Sequence, residues 1–153
     1  MSSNTPTIRQ ELKSLRTIYG ALIVGVVLFA LIAIALTLKG GVKQEDPGFA
    51  QILLIVATLT ALVNIPMGLS LFKRRTATIS DEPLKNKIEI YRSAMIIRTA
   101  ILEGNGFFFI VCYILTGATV FLIELLAIIV LMIYFFPTSS RLSKEMQHDL
   151  REL

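Results

Sequence analysis

Tryptophan is absent from this 153-residue chain, and cysteine and histidine occur once each. A lone cysteine, Cys112, cannot close a disulfide within the chain. A lone histidine, His148, leaves no His/Cys cluster for a metal and no ligand in an apolar block for haem. Charge is also scarce. Only 17% of residues are charged while 54% are apolar, against about 25% and about 45–50% in an ordinary soluble domain. No Walker loop, dinucleotide fingerprint, H-E-x-x-H or G-x-S-x-G stands in the sequence, so nothing points to an enzyme or to a cofactor. The balance excludes disorder, a soluble globular domain, a secreted disulfide scaffold and a nucleic-acid-binding module.

What is present is apolar sequence in four long blocks. A helix needs about 20 apolar residues to cross the hydrocarbon core. The blocks run over about 17–38, 47–72, 94–116 and 119–136. The first two carry no charge within those spans; the third contains Arg98 and Glu103, and the fourth contains Glu124. Helices are the expected form, because lipid offers the backbone no hydrogen-bond partner and these blocks lack barrel-type alternation. The first block is too long, and its polar leader too extended, for a signal peptide, so it is expected to be retained. The fold class is therefore all-α: a polytopic membrane protein with four transmembrane helices in two antiparallel hairpins, forming one domain over 1–153.

Charge placement gives the orientation. Outside the spans, twelve Lys and Arg fall on the side shared by both termini and the second loop, and two (Lys39, Lys43) fall on the other. The positive-inside rule puts the richer side, with both termini, in the cytoplasm. Tyr19, Tyr91 and Tyr134 are expected at that interface and Tyr113 near the outer one. Asp46-Pro47 reads as a helix start, Lys39-Gly40-Gly41 as a stop, and 116–119 as a turn tight enough to make spans three and four neighbours. Helical apolar rhythms extend spans one, three and four into the cytosol, over about 6–16, 82–93 and 140–153.

Small residues mark helix contacts where lipid gives no hydrophobic drive. The pairs are Ala21 and Gly25, Ala57 and Ala61, and Ala100 and Gly104. In span two Ala57, Ala61, Asn64 and Gly68 share one face. Pro66 is expected to kink that span.

Five polar residues inside the spans carry a cost, and intramembrane charge marks pairing or function. At 100° per residue, Glu103 lies on one face of span three, while Arg98 and Asn105 lie on a nearly opposite one. Two polar faces predict protein on both sides of span three, and hence a homo-oligomer or a larger membrane complex. Asn64 and Glu103 lie at similar depth and are expected to form an interhelical hydrogen bond. Arg98 is expected to snorkel to the cytoplasmic interface or to ion-pair. Glu124 is expected near the outer interface, and Gly104-Asn105-Gly106 in close packing or at a helix break. For Glu103 two readings stay open: a neutral carboxyl hydrogen-bonded to Asn64 or Thr99, or a proton- or cation-binding group.

Tyr91-Arg92 and Arg98 lead into Leu102-Glu103-Gly104 and then Phe107-Phe108-Phe109; Phe135-Phe136-Pro137-Thr138 follows span four. With these features the chain as a whole resembles uncharacterised four-span bacterial inner-membrane proteins. The resemblance implies a bacterial inner-membrane location and no particular activity. Two functions remain on the residues: an accessory or structural membrane subunit, and a small proton- or cation-coupled transporter or channel using Glu103, Asn64 and Glu124.

Overall fold

The computed structural model describes residues 8–40, 47–77, 79, 83–138 and 141. They form four α-helices: α1 (Ile8–Leu38), α2 (Pro47–Ala77), α3 (Leu84–Thr116) and α4 (Val120–Tyr134). The first three are long and apolar enough to cross a membrane. At 1.5 Å per residue the 33 residues of α3 extend about 50 Å, well beyond a hydrocarbon core of about 30 Å. The 15 residues of α4 extend only about 22 Å. The helical extensions expected before spans one and three are continuous with them, as the first turns of α1 and α3. The extension over 140–153 lies outside the described residues apart from Arg141, as do Asp46, Gly41, Asp81 and Glu82.

Helix α3 is the centre of the bundle. It packs against α1, α2 and α4, while α1 touches α4 only sparsely and makes no substantial packing with α2. Half of the apolar stretch of α3 is buried, against 17% in α1 and in α2. The first two helices therefore each pack on α3 rather than on each other, and of the polar residues of α3, Arg98 and Asn105 are buried within the chain while Glu103 is half-buried. Gly104-Asn105-Gly106 does not break α3, and Pro66 sits inside α2 without ending it.

The packing faces follow from residue size. Ala57 and Ala61 are buried on α2, and the Gly68 backbone lies against Ile101 of α3, where an added Cβ would come within 3.2 Å of its side chain. Those three small residues let two backbones approach. The Ala21–Gly25 pair plays no such part: Ala21 is exposed, and the buried face of α1 is Leu15, Tyr19, Val26, Ala30 and Ala33. Val26 packs at Gly106, and Phe29 meets Phe107 edge-on at 5.4 Å between centroids. On α4, Phe121, Leu125, Ile128 and Met132 form the buried stripe at spacings of four, three and four.

The tight turn is as expected. Gly117 caps α3 in the left-handed region (φ 68°), and its N–H donates to the Tyr113 carbonyl at 2.8 Å. That conformation favours glycine, which has no Cβ to clash. The antiparallel α3–α4 pair follows from it.

Candidate functional site

Arg98 is the most enclosed charge in the described structure. It is 2% exposed, so it does not snorkel. Its guanidinium lies 3.9 Å from the centroid of the Phe72 ring and 4.5 Å from that of Phe135. A desolvated cation over an aromatic face is held by the ring quadrupole, by about 2 kcal/mol. Phe72 is itself braced edge-on by Tyr91, and Tyr19 packs edge-on against Phe136. Tyr19 and Tyr91 are fully buried, so two of the three tyrosines expected at the interface form part of this aromatic cage.

The cage closes the end of α4. The last carbonyls of a helix have no partner within it and carry the negative end of its dipole. Arg98 Nη2 donates to the Phe135 carbonyl at 3.5 Å, Arg141 Nη1 to that of Tyr134 at 2.6 Å, and Arg16 Nε to that of Pro137 at 3.0 Å. Two arginines, from α3 and from beyond α4, thus meet the last carbonyls of α4, and a third, from α1, meets the Pro137 carbonyl just past them. Pro137 has no N–H to continue the helix. The Phe-Phe-Pro-Thr run is a stop signal, with the Phe135 ring turned back over Arg98 and the Phe136 ring against Tyr19.

Beside the cage lies a groove of about 730 Å³ between α2 and α4. Pro66 and Leu69 line it together with the polar Ser70, Lys73, Thr76 and Arg98. Further along α2 and α4, Thr58 Oγ1 donates to Glu124 Oε1. The other carboxylate oxygen, Oε2, is buried with no hydrogen-bond partner. Glu124 is thus half-buried and tied to α2 through Thr58.

Asn64 and Glu103 do not pair, because they lie on different sides of α3. Gly68 against Ile101 sets the antiparallel register of α2 on α3, which brings Asn64 level with Asn105. Glu103 is two residues from Ile101, about 200° round the helix, and one turn before Phe107, which meets α1. It is half-buried on the α1 side and has no hydrogen bond or ion pair among the described residues. Thr99 is buried and donates to the Met95 carbonyl at 2.8 Å, not to Glu103.

Asn64 instead lines a second groove, about 520 Å³, together with Thr60, Met67, Ala100, Gly104 and Asn105. Asn105 is 3% exposed. Its Nδ2 donates to the Ile101 carbonyl at 2.7 Å, and its Oδ1 is buried without a partner. Comparison with protein-family models, with curated proteins and with solved structures finds no match to this chain.

The candidate residues thus separate into three places. Arg98 is in the cage, Glu124 is between α2 and α4, and Asn64 and Asn105 share a cleft from which Glu103 is turned away. Ala57, Ala61 and Gly68 pack inside the chain, whereas Ala100 and Gly104 are exposed. Residue spacing alone missed Thr58, Arg16 and Tyr19. Only for Tyr19 was a signal present: Leu15, Tyr19, Val26, Ala30 and Ala33 recur at helical spacing along α1, a pattern of burial rather than of an interfacial belt. The chemistry these groups offer is hydrogen bonding and charge capping. Among the described residues no set of three or more His, Cys, Asp or Glu side chains is placed to hold a metal ion.

Proposed function

We propose that the chain is a non-enzymatic accessory or structural subunit of the bacterial inner membrane, crossing it four times with both termini in the cytoplasm. The shortness of α4 is compatible with a fourth crossing. With Thr119, Phe135 and Phe136 the apolar stretch reaches about 27 Å, and a deficit of a few ångströms is met by local thinning of the bilayer. An even number of crossings keeps the twelve cations of the loops and tails on one side, as the positive-inside rule requires.

One observation carries the subunit reading. The groove holding Asn64 and Asn105 lies beside exposed small residues of α3, and the half-buried Asn64 amide in it makes no hydrogen bond among the described residues. Lipid tails supply no partner to such an amide, whereas a neighbouring helix does. Native electrophoresis and chemical cross-linking of membranes at natural expression test the reading. An assembly heavier than one 17.0 kDa chain is the expected result. Single chains throughout would overturn it.

A second reading, a proton- or cation-coupled transporter or channel, is favoured by the buried Oε2 of Glu124. A carboxylate oxygen without a partner inside a bundle is a place for a proton or cation. Flux through reconstituted protein that falls with Glu124→Gln supports this role. Flux lost only with Glu103→Gln would return it to Glu103, and no flux in the wild type removes it.

A further inference from the structure

The groove between α2 and α4 joins an apolar end to a cationic one. Both helices pack on α3 and not substantially on each other, which leaves the groove open beside α3. Its α2 wall is Pro66, Leu69, Ser70, Lys73 and Thr76, whose three- and four-residue spacings form one helical stripe. From Pro66 to Thr76 that stripe rises about 15 Å. Pro66 and Leu69 belong to the uncharged block that ends at Phe72, and Lys73 opens the Lys73-Arg74-Arg75 run that follows it. The groove therefore straddles the boundary between hydrocarbon and headgroups. Tyr134 of α4 lines it from the other side and is 64% exposed, the placement of an amphipathic ring at headgroup level.

The charge of the lining has one sign. Lys73 and Arg98 line the groove and, among the described residues, no carboxylate does. Lys73 is exposed, and its ammonium makes no hydrogen bond or ion pair among the described residues; the same holds for the exposed Ser70 hydroxyl, three residues earlier on the stripe. Thr76 is committed elsewhere, because its Oγ1 donates to the Phe72 carbonyl at 2.9 Å. Arg98 is almost fully buried and needs no contact with a ligand, since in a poorly polarisable surrounding its charge acts over several ångströms. The volume of about 730 Å³ falls within that of small-molecule sites, about 300–1,000 Å³. We propose that this groove takes the headgroup of an anionic phospholipid from the leaflet on the cation-rich side. Lys73 and Ser70 donate to the phosphate oxygens, Arg98 adds to the field, and Pro66 and Leu69 lead the first methylenes of an acyl chain into the core. Basic pockets between membrane helices on the cytoplasmic side recognise headgroups of this class. The inference goes beyond the subunit reading and does not depend on it; it needs only that α2 lies in the membrane.

The chain has no tryptophan, so Tyr134→Trp, which keeps an amphipathic ring with a polar N–H, places one fluorophore at this groove. The full-length protein in mixed micelles is titrated with brominated phosphatidylglycerol and, separately, with brominated phosphatidylcholine, and quenching gives the relative affinity. A preference of about five- to thirtyfold for phosphatidylglycerol is expected, the range for one to two nearby cations. Lys73→Gln, at an exposed position that leaves the fold intact, should lower it about fivefold. Arg74→Gln makes the same charge change at an exposed residue that does not line the groove and should lower it distinctly less. Equal losses from the two would reduce the effect to diffuse surface charge and overturn the site. Inorganic phosphate at the lipid's concentration should not relieve the quenching; relief would show an anion site without an acyl component and overturn the lipid assignment. Native mass spectrometry of the unaltered chain, counting retained phosphatidylglycerol against phosphatidylcholine, repeats the comparison without the reporter, and equal retention would overturn the proposal. Single chains that show the preference leave this inference standing and remove the subunit reading, and an assembly without the preference does the reverse.

Discussion

Pairing of Arg98 with Phe72 is open to a direct thermodynamic test. The guanidinium is 3.9 Å from the ring centroid and 2% exposed, conditions in which a cation–π contact reaches about 2 kcal/mol. Phe72→Leu removes the ring face while keeping an apolar side chain, and it also loses the edge contact with Tyr91. The expected cost is about 3 kcal/mol: about 2 from the cation and about 1 from the ring pair and lost volume. In an Arg98→Met background the first component has no partner, and the same substitution should cost only about 1 kcal/mol. A double-mutant cycle in mixed micelles, unfolded with increasing detergent denaturant, should therefore give a coupling of about 2 kcal/mol. The cycle is needed because Arg98→Met alone also relieves a buried charge, and that gain offsets part of its loss. A coupling below about 0.5 kcal/mol would refute the cage as an energetic device.

Glycine positions with different surroundings should respond differently. Gly104→Ala, in open space, should stabilise the monomer by about 0.5–1 kcal/mol through helix propensity; Gly68→Ala, against Ile101, should fall at least about 1 kcal/mol short of that in the same unfolding assay. Gly117→Ala should cost about 1–2 kcal/mol, because the left-handed cap then carries a Cβ. Thr58→Val combined with Glu124→Leu should show a coupling of about 0.6 kcal/mol, the average for hydrogen bonds between membrane helices, and at most about 1.7 kcal/mol. Additive effects would mean that the Thr58–Glu124 bond carries no stability.

Apolar block length located every helix, because span length is set by the bilayer and shows directly in composition. Thr116-Gly117-Ala118-Thr119 revealed the α3–α4 pair for a similar reason: a connection that short leaves no other geometry. Neighbour relations were less legible. Ala21 and Gly25 carry the same local pattern as Ala57 and Ala61, yet only the second pair is buried, since what decides is whether a helix arrives at that face. Depth along a helix accumulates at a fixed rise and placed Asn64 near Glu103. Azimuth depends on how α2 crosses α3, which the Gly68–Ile101 contact sets and no periodicity in α3 alone reveals. By composition alone Arg98 is a charge expected to seek water. Its partners are rings and a carbonyl from α2 and α4, brought together only by the termination of α4 at Phe135.

Side-specific labelling tests the central claim, that four crossings leave both ends of the chain on one side. Cysteines introduced singly at Lys39, Lys73 and Thr138, all exposed, in a Cys112→Ala chain can be probed with a membrane-impermeant maleimide. In intact cells only the Lys39 position should react, and the other two should react after permeabilisation. Labelling of the Thr138 position in intact cells would show that α4 does not cross, and would contradict the account.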